Sequence, residues 1–308
     1  MLTIFATYIY DKEIMMDNAT AKDKWSHEYS NVKNAPSFAA YCLDRWEKDK
    51  DFVVKANSDY YRGKPYFDRV ILRKVPQSGM RMLNLRAGDA QMVERLTPKE
   101  FDSLRKAKGI KVAGVYGNEN LFVHMNFKSP PWDNPKLRAA VAHAVPYQSI
   151  IRDAYFNNAK PWPGQIPTSY QDYHKPNLVY TEQLDRAREL LAEAGFPNGK
   201  GLEKYSDSFK LAYVAEKESF LGPVANLIKS NLSKIGVDVQ LDPLPQTQYG
   251  DRQLVKKDLP FALNDQEKPI APDAAYGLLL FFVSSEKGGL NNMVNYSNPR
   301  VDELFAKA

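Results

Sequence analysis

Two carboxylates in the last fifth of the chain, Asp265 and Asp273, are the pair that could do chemistry together. Facing aspartates are what a hydrolase uses as general acid with base or nucleophile. Solvated surface carboxylates are the ordinary alternative. Other reactive residue types are worse placed. The four histidines, His27, His124, His143 and His174, show no metal-ligand spacing. His124 and His143 lie on apolar stretches, where a hydrogen-bonded core imidazole is the expectation. No Gly-x-Ser-x-Gly elbow occurs. The single Cys42 has no activating partner and excludes an internal disulfide framework. Gly195 with Gly199-Lys200 resembles half of a phosphate loop, but the spacing is one residue short and Gly201 replaces the required Ser or Thr. The aromatic residues Trp162, Tyr170 and Tyr173 fall in and just after an irregular stretch rich in Pro and Gly, Tyr155 to Tyr170. Ligand contacts are often found on such loops.

The elements that must position these residues are legible in outline. Tyr41 to Trp46 and Val70 to Val75 read as strands, and Arg81 to Gln91 as a helix stopped by Gly88. Thr97-Pro98-Lys99-Glu100 is a capping box with Pro at the first helical position. Ile110 to Val115 and Leu121 to Phe127 read as strands, and the alternation with helices predicts parallel strands in an α/β layer. In PPWDNPKLRAAVAHAVP, Asn134 caps a helix whose apolar face is Leu137, Ala140, Val141 and Ala144, and Pro146 ends it. Thr181 to Gly195 is a helix, Lys210 to Ala215 a strand, and Glu216 to Gly222 a loop. Val224, Leu227, Ile228, Leu232 and Ile235 form the stripe of the next helix. Val237, Val239 and Leu241 alternate as a strand, and Phe261 to Asp265 is a strand ending at a carboxylate.

The 308 residues can bury a sizeable core and are enough for two lobes. Composition is 44% hydrophobic and 26% charged, with 18 Tyr and 15 Phe, which suits a polar, aromatic-lined cleft. The net charge of +5 is spread among interleaved acids and bases, which argues against a nucleic-acid partner. No stretch is long and apolar enough to cross a membrane. The opening MLTIFATYIYDKE lacks the basic start and cleavage site of a signal peptide.

Several motifs are similar to the peptide-importer branch of the extracytoplasmic solute-binding proteins, family 5. They are NSDYYRGKPYFDRV (Asn57 to Val70), the Pro-Pro-Trp-Asp-Asn loop with its Arg138-Ala139-Ala140 helix, RARELLAEAGFPNGKG (Arg186 to Gly201), LSKIGVDVQL (Leu232 to Leu241) and NYSNPRVDELFAKA at the end. Two departures stand out. Ser37-Phe38-Ala39-Ala40-Tyr41 lacks the family's turn glycines, and Gln91 replaces an aspartate.

The resemblance implies an α/β, two-lobe, type II periplasmic-binding-protein fold, with parts of the lobes absent from this span. Residues 1–126 would be the remainder of lobe 1 and 127–308 lobe 2, incomplete at its C-terminal end. It further implies a periplasmic or extracytoplasmic monomer that captures a short peptide or peptide-like solute in an interlobe cleft. The solute would pass to the membrane permease of an ABC transporter, with no cofactor, metal or bond cleavage. In the family a carboxylate after this strand pairs with the ligand ammonium. Asp265 holds that place and Asp273 is the rival. A cationic side chain in the loop after the Lys210 strand meets the ligand carboxylate in some relatives, and here the loop offers Glu216 and Lys217. Alternatives are a non-peptide solute (metal chelate, opine or sugar), a fragment that binds nothing, or a hydrolase using Asp265 and Asp273.

Overall fold

The computed structural model describes residues 10–34, 36–114, 116–117, 119–162, 164, 166–167, 170, 180–265 and 274–307. The chain forms two compact units, Met1–Leu96 and Thr97–Ala308.

In the first unit, α1 (Lys12–Asp17) is capped by Asp11, whose side chain accepts the N–H groups of Glu13 and Ile14. An antiparallel sheet follows in the order β1 (Tyr41–Glu47), β2 (Asp51–Ala56), β3 (Arg69–Arg73). Trp46, Phe52 and Leu72 align across its three strands. Asp51, on the other face, meets Arg45 at 3.3 Å and Arg73 at 3.2 Å. Apolar rows and opposite charges on facing strands both favour this register. Helix α2 (Ser78–Ala87) ends, as the sequence predicts, with Gly88 in the left-handed region.

The second unit opens with α3 (Pro98–Leu104). The Thr97 hydroxyl accepts the Glu100 N–H, and the Glu100 carboxylate accepts the Thr97 N–H in return. The strand expected over Ile110 to Val115 is not seen among the described residues: 110–114 are irregular, and the strand that forms is β4 (Phe122–Met125). A brief apolar alternation without a neighbouring ladder does not fix a strand. Asn134 then caps α4 (Pro135–Ala144), accepting the Lys136 and Leu137 N–H groups. The chain continues through α5 (Tyr147–Ser149) and a wider turn over Ile150–Ala154 to α6 (Leu184–Glu193). It goes on through β5 (Lys210–Val214), α7 (Glu218–Ser233), β6 (Gln240–Leu244), α8 (Gln246–Gly250) and β7 (Phe261–Asn264). Helices α9 (Ala274–Phe282) and α10 (Pro299–Lys307) complete it. Helix α7 starts at Glu218, earlier than the apolar stripe suggests, because Pro223 near its start removes only one backbone bond. Gly236, at φ +84°, turns the chain from α7 toward β6 while its backbone lies directly against Asn198, where a Cβ has no room.

The sheet order is β4-β7-β5-β6, with β5 parallel to both β6 and β7 and β4 antiparallel to β7. It is therefore mixed, not wholly parallel. One face of β5 sends Leu211 and Tyr213 into a core built by α4, α6 and α7; the other sends Ala212 and Val214 toward Leu244, Tyr249 and Leu259. A central strand buried on both faces needs a continuous apolar run, and Leu211, Ala212, Tyr213 and Val214 supply it. Trp132 joins the loop before α4 to this sheet. Its fully buried ring stacks on Phe261 at 4.8 Å and lies 4.7 Å from Phe209, and its indole N–H donates to the Ser208 carbonyl at 2.8 Å.

Trp132→Ala empties that position and orphans the Ser208 carbonyl, so unfolding free energy should fall by about 3–5 kcal/mol. Urea denaturation measures it; a loss below about 1 kcal/mol would show that the Trp132–Phe261 contact does not hold β7 in place.

Candidate functional site

The topology brings two chain ends together. The chain leaves β5 through α7 to β6 on one side, then returns through α8 to β7 on the other side of β5. Register pairs Leu211 with Phe261 and Ala212 with Ala262, so the carboxyl ends of β5 and β7 stand side by side. Open α/β sheets take ligands outside the carboxyl ends of their strands, where the winding direction reverses.

Lys217 follows β5 and Asp265 follows β7. The Lys217 ammonium donates to both oxygens of Asp265, at 2.8 Å each. The two side chains are 34% and 30% exposed, so solvent, and anything dissolved in it, reaches the pair. Glu216, one residue earlier, faces elsewhere: its two oxygens accept the Gln246 N–H at 3.1 and 2.9 Å. That N–H opens α8 and has no partner within the helix, so Glu216 ties the end of β5 to the end of β6.

Tyr155 is the residue that sequence reasoning missed. Burial first, and the Asp265 charge second, push its phenol up to about 12. The Asp265 charge thus acts on Tyr155 as well as on Lys217. The chain then turns sharply, with Phe156 at φ +50° and Asn157 at φ +59°. Two consecutive left-handed residues with side chains are unfavourable. Asn158 braces them, donating to the Tyr155 carbonyl at 2.9 Å and the Phe156 carbonyl at 3.1 Å. Its own side-chain oxygen accepts from Arg105 at 2.6 Å. The Asn-Asn pair after Tyr-Phe was the available signal, since Asn tolerates the left-handed region.

Trp162 and Tyr170 are half-buried on the irregular segment beyond Tyr155. Asp273, Tyr173 and His174 lie outside the described residues. The His143 Nδ1–H donates to the Thr181 carbonyl at 3.2 Å, and His124 meets Gln253 at 3.4 Å, as partnered histidines. Among the described residues no cluster of His, Cys, Asp or Glu could hold a metal ion.

The model of the bacterial extracellular solute-binding proteins, family 5, matches residues 1–289. The chain belongs to that family. Relatives of this family 5 protein include a probable D,D-dipeptide-binding periplasmic protein, DdpA, from Escherichia coli, 25% identical over 90% of this chain and 52% of the relative. The glutathione-binding protein GsiB of the same species is 26% identical over 87% of this chain and 52% of the relative. In fold, the chain is similar to the ABC transporter-associated periplasmic binding protein DppA from Helicobacter pylori in complex with the peptide STSA. That likeness has a TM-score of 0.75 at 24% identity, covering 97% of this chain and 56% of the other. The chain therefore has the mixed α/β architecture of the type II binding proteins and spans about half the length of the curated relatives it matches.

Two consequences follow for the loops around Asp265. Glu216→Ala removes the acceptor from the Gln246 N–H and should lower stability by about 1 kcal/mol, read by thermal or urea unfolding. Equal stability would mean that water replaces the carboxylate without loss. The Tyr155 phenol, ionising near 10 when unfolded and about 12 when folded, favours the native state fully below pH 10. That contribution is lost as pH rises through about 12. The stability difference between wild type and Tyr155→Phe should be flat up to about pH 10 and then change toward pH 12, against a background from Tyr147 and Tyr213, which burial also pushes to about 12. A difference that stays constant over that range would place Tyr155 in solvent.

Proposed function

We propose that this chain binds a short peptide or peptide-like solute and delivers it to the membrane permease of an ABC importer. The observation that carries the reading is the opposite-charge pair Lys217–Asp265 at the carboxyl ends of β5 and β7. A peptide has one ammonium and one carboxylate at its ends. Asp265 suits the first, and charge-assisted hydrogen bonds to a carboxylate fix both position and direction. Lys217 suits the second, as a mobile point charge that selects geometry less strictly than a bidentate Arg. Trp162 and Tyr170 would supply apolar surface and Asp273 is the alternative anchor, while Glu216, expected from the sequence to meet the ligand, instead holds the Gln246 N–H. Contacts concentrated on the termini leave side-chain selectivity broad.

In this reading residues 1–126 belong to the first lobe and 127–308 to the second, the change falling near Asn126. That division follows family topology, whereas the compact units are divided by packing between Leu96 and Thr97. The protein works as a monomer outside the cytoplasm. Its task is hinge closure around the solute, without cleavage of any bond.

Calorimetry and thermal shift against pooled di- to pentapeptides, with wild type beside Asp265→Asn, test this. We expect saturable binding without product, weakened about 10- to 100-fold in the variant, the value of one charge-assisted hydrogen bond. Undiminished binding in Asp265→Asn would move the anchor to another residue, with Asp273 next. Peptide turnover that disappears in the variant would make the protein a hydrolase.

A further inference from the structure

The Lys217 ammonium already occupies the Asp265 carboxylate, on both oxygens, in the chain as it stands. From this we infer that ligand binds by cation exchange: Lys217 is an internal substitute for the ligand ammonium, and the exchange makes the site select zwitterions. The inference rests on the peptide-binding reading above and adds to it the charge class of the solute.

Charges in this confined place must balance. Asp265 and Lys217 together are neutral. A ligand that offers only an ammonium must displace Lys217 and leaves the site with one surplus positive charge. A ligand that offers an ammonium and a carboxylate within reach of the displaced Lys217 restores neutrality, and each charge keeps a partner. A ligand with only a carboxylate has no cation to exchange, and Lys217 stays on Asp265. Partial exposure makes the exchange feasible. A pair about one-third exposed contributes modestly to stability, so the ligand's own contacts outweigh it. A fully buried pair would resist separation.

The surroundings favour movement of Lys217 over movement of Asp265. Asp265 directly follows β7, whose four residues are all buried. Lys217 closes a short turn between β5 and α7 on a flexible four-carbon stem. Its neighbour Glu216 is held by the Gln246 N–H, so Glu216 is not the carboxylate to which Lys217 turns. The displaced ammonium therefore meets the ligand.

The test compares one tripeptide in three forms: both ends free, C-terminally amidated, and N-acetylated. Affinities are measured for wild type and Lys217→Met, with Lys217→Gln as a second variant should the first fail to fold. In parallel, the rate of Lys217 acylation by an amine-reactive reagent is followed by mass spectrometry in wild type with and without peptide. We expect wild type to prefer the free acid over the amide roughly fivefold, and Lys217→Met to reverse that preference, because the charge count reverses. The N-acetylated form binds neither. Bound free-acid peptide changes the acylation rate of Lys217, since its partner has changed. Peptide binding with the same acid-to-amide preference in wild type and variant, and an unaltered Lys217 rate, would overturn the exchange and leave peptide binding standing. No binding of any form to either protein would overturn the peptide reading itself, and the exchange with it.

Discussion

Parallel pairing of β5 with strands on both sides is the constraint on which the rest depends. An interior strand of this kind can be reached only by crossovers, so the chain must pass through α7 to β6 and return through α8 to β7. The return places β7 against the free side of β5, and the residues after the two strands become neighbours although 48 positions separate them in sequence. Nothing in the local sequence around Lys217 or Asp265 holds them together. The apolar run from Leu211 to Val214, buried on both faces, does so from a distance.

Above that sheet the chain is held by satisfied polar groups at its turns. The Trp132 N–H, the Asn134 cap and the Thr97–Glu100 box each close an orphan backbone group where an element begins or a loop meets the core. Buried asparagines do the same work deeper in. Asn231 donates to the Ala144 carbonyl at 2.7 Å and to Glu182 at 2.8 Å, and Asn126 donates to the Lys257 carbonyl at 2.9 Å. Each would cost about 1–3 kcal/mol if left unpaired in the interior. The same logic governs Glu216 at the start of α8. Around Asp265 the pattern differs: the groups there are paired with each other, and both still meet solvent.

Elements with strong local signals were legible in the sequence. The capping box at Thr97, the Asn134-Pro135 start of α4 and the glycine stop at Gly88 all depend on neighbours within four residues, and they fall where their chemistry requires. Strand direction and existence were less legible, because both depend on partners far away in the chain. Thus 110–114 has the alternation of a strand without a ladder, and β4 runs antiparallel where helix–strand alternation predicts parallel. GLLLFF, apolar without a clear period, is part of α9. At the site, the sequence offers Asp265 and Lys217 separately, as partners for opposite ends of a ligand. That they hold one another follows from the parallel pairing of β7 with β5, which no spacing reveals. Tyr155 was missed for the same reason, since its role comes from burial and the neighbouring Asp265 charge.

The central claim is that the Asp265 carboxylate receives the ligand's ammonium group at the carboxyl ends of β5 and β7. A crystal structure of the chain grown with a free-acid tripeptide tests it most directly. The account predicts the peptide nitrogen within about 3 Å of an Asp265 oxygen, with the Lys217 ammonium moved from Asp265 to the peptide carboxylate. A bound peptide elsewhere, beside an undisturbed Lys217–Asp265 pair, would contradict it.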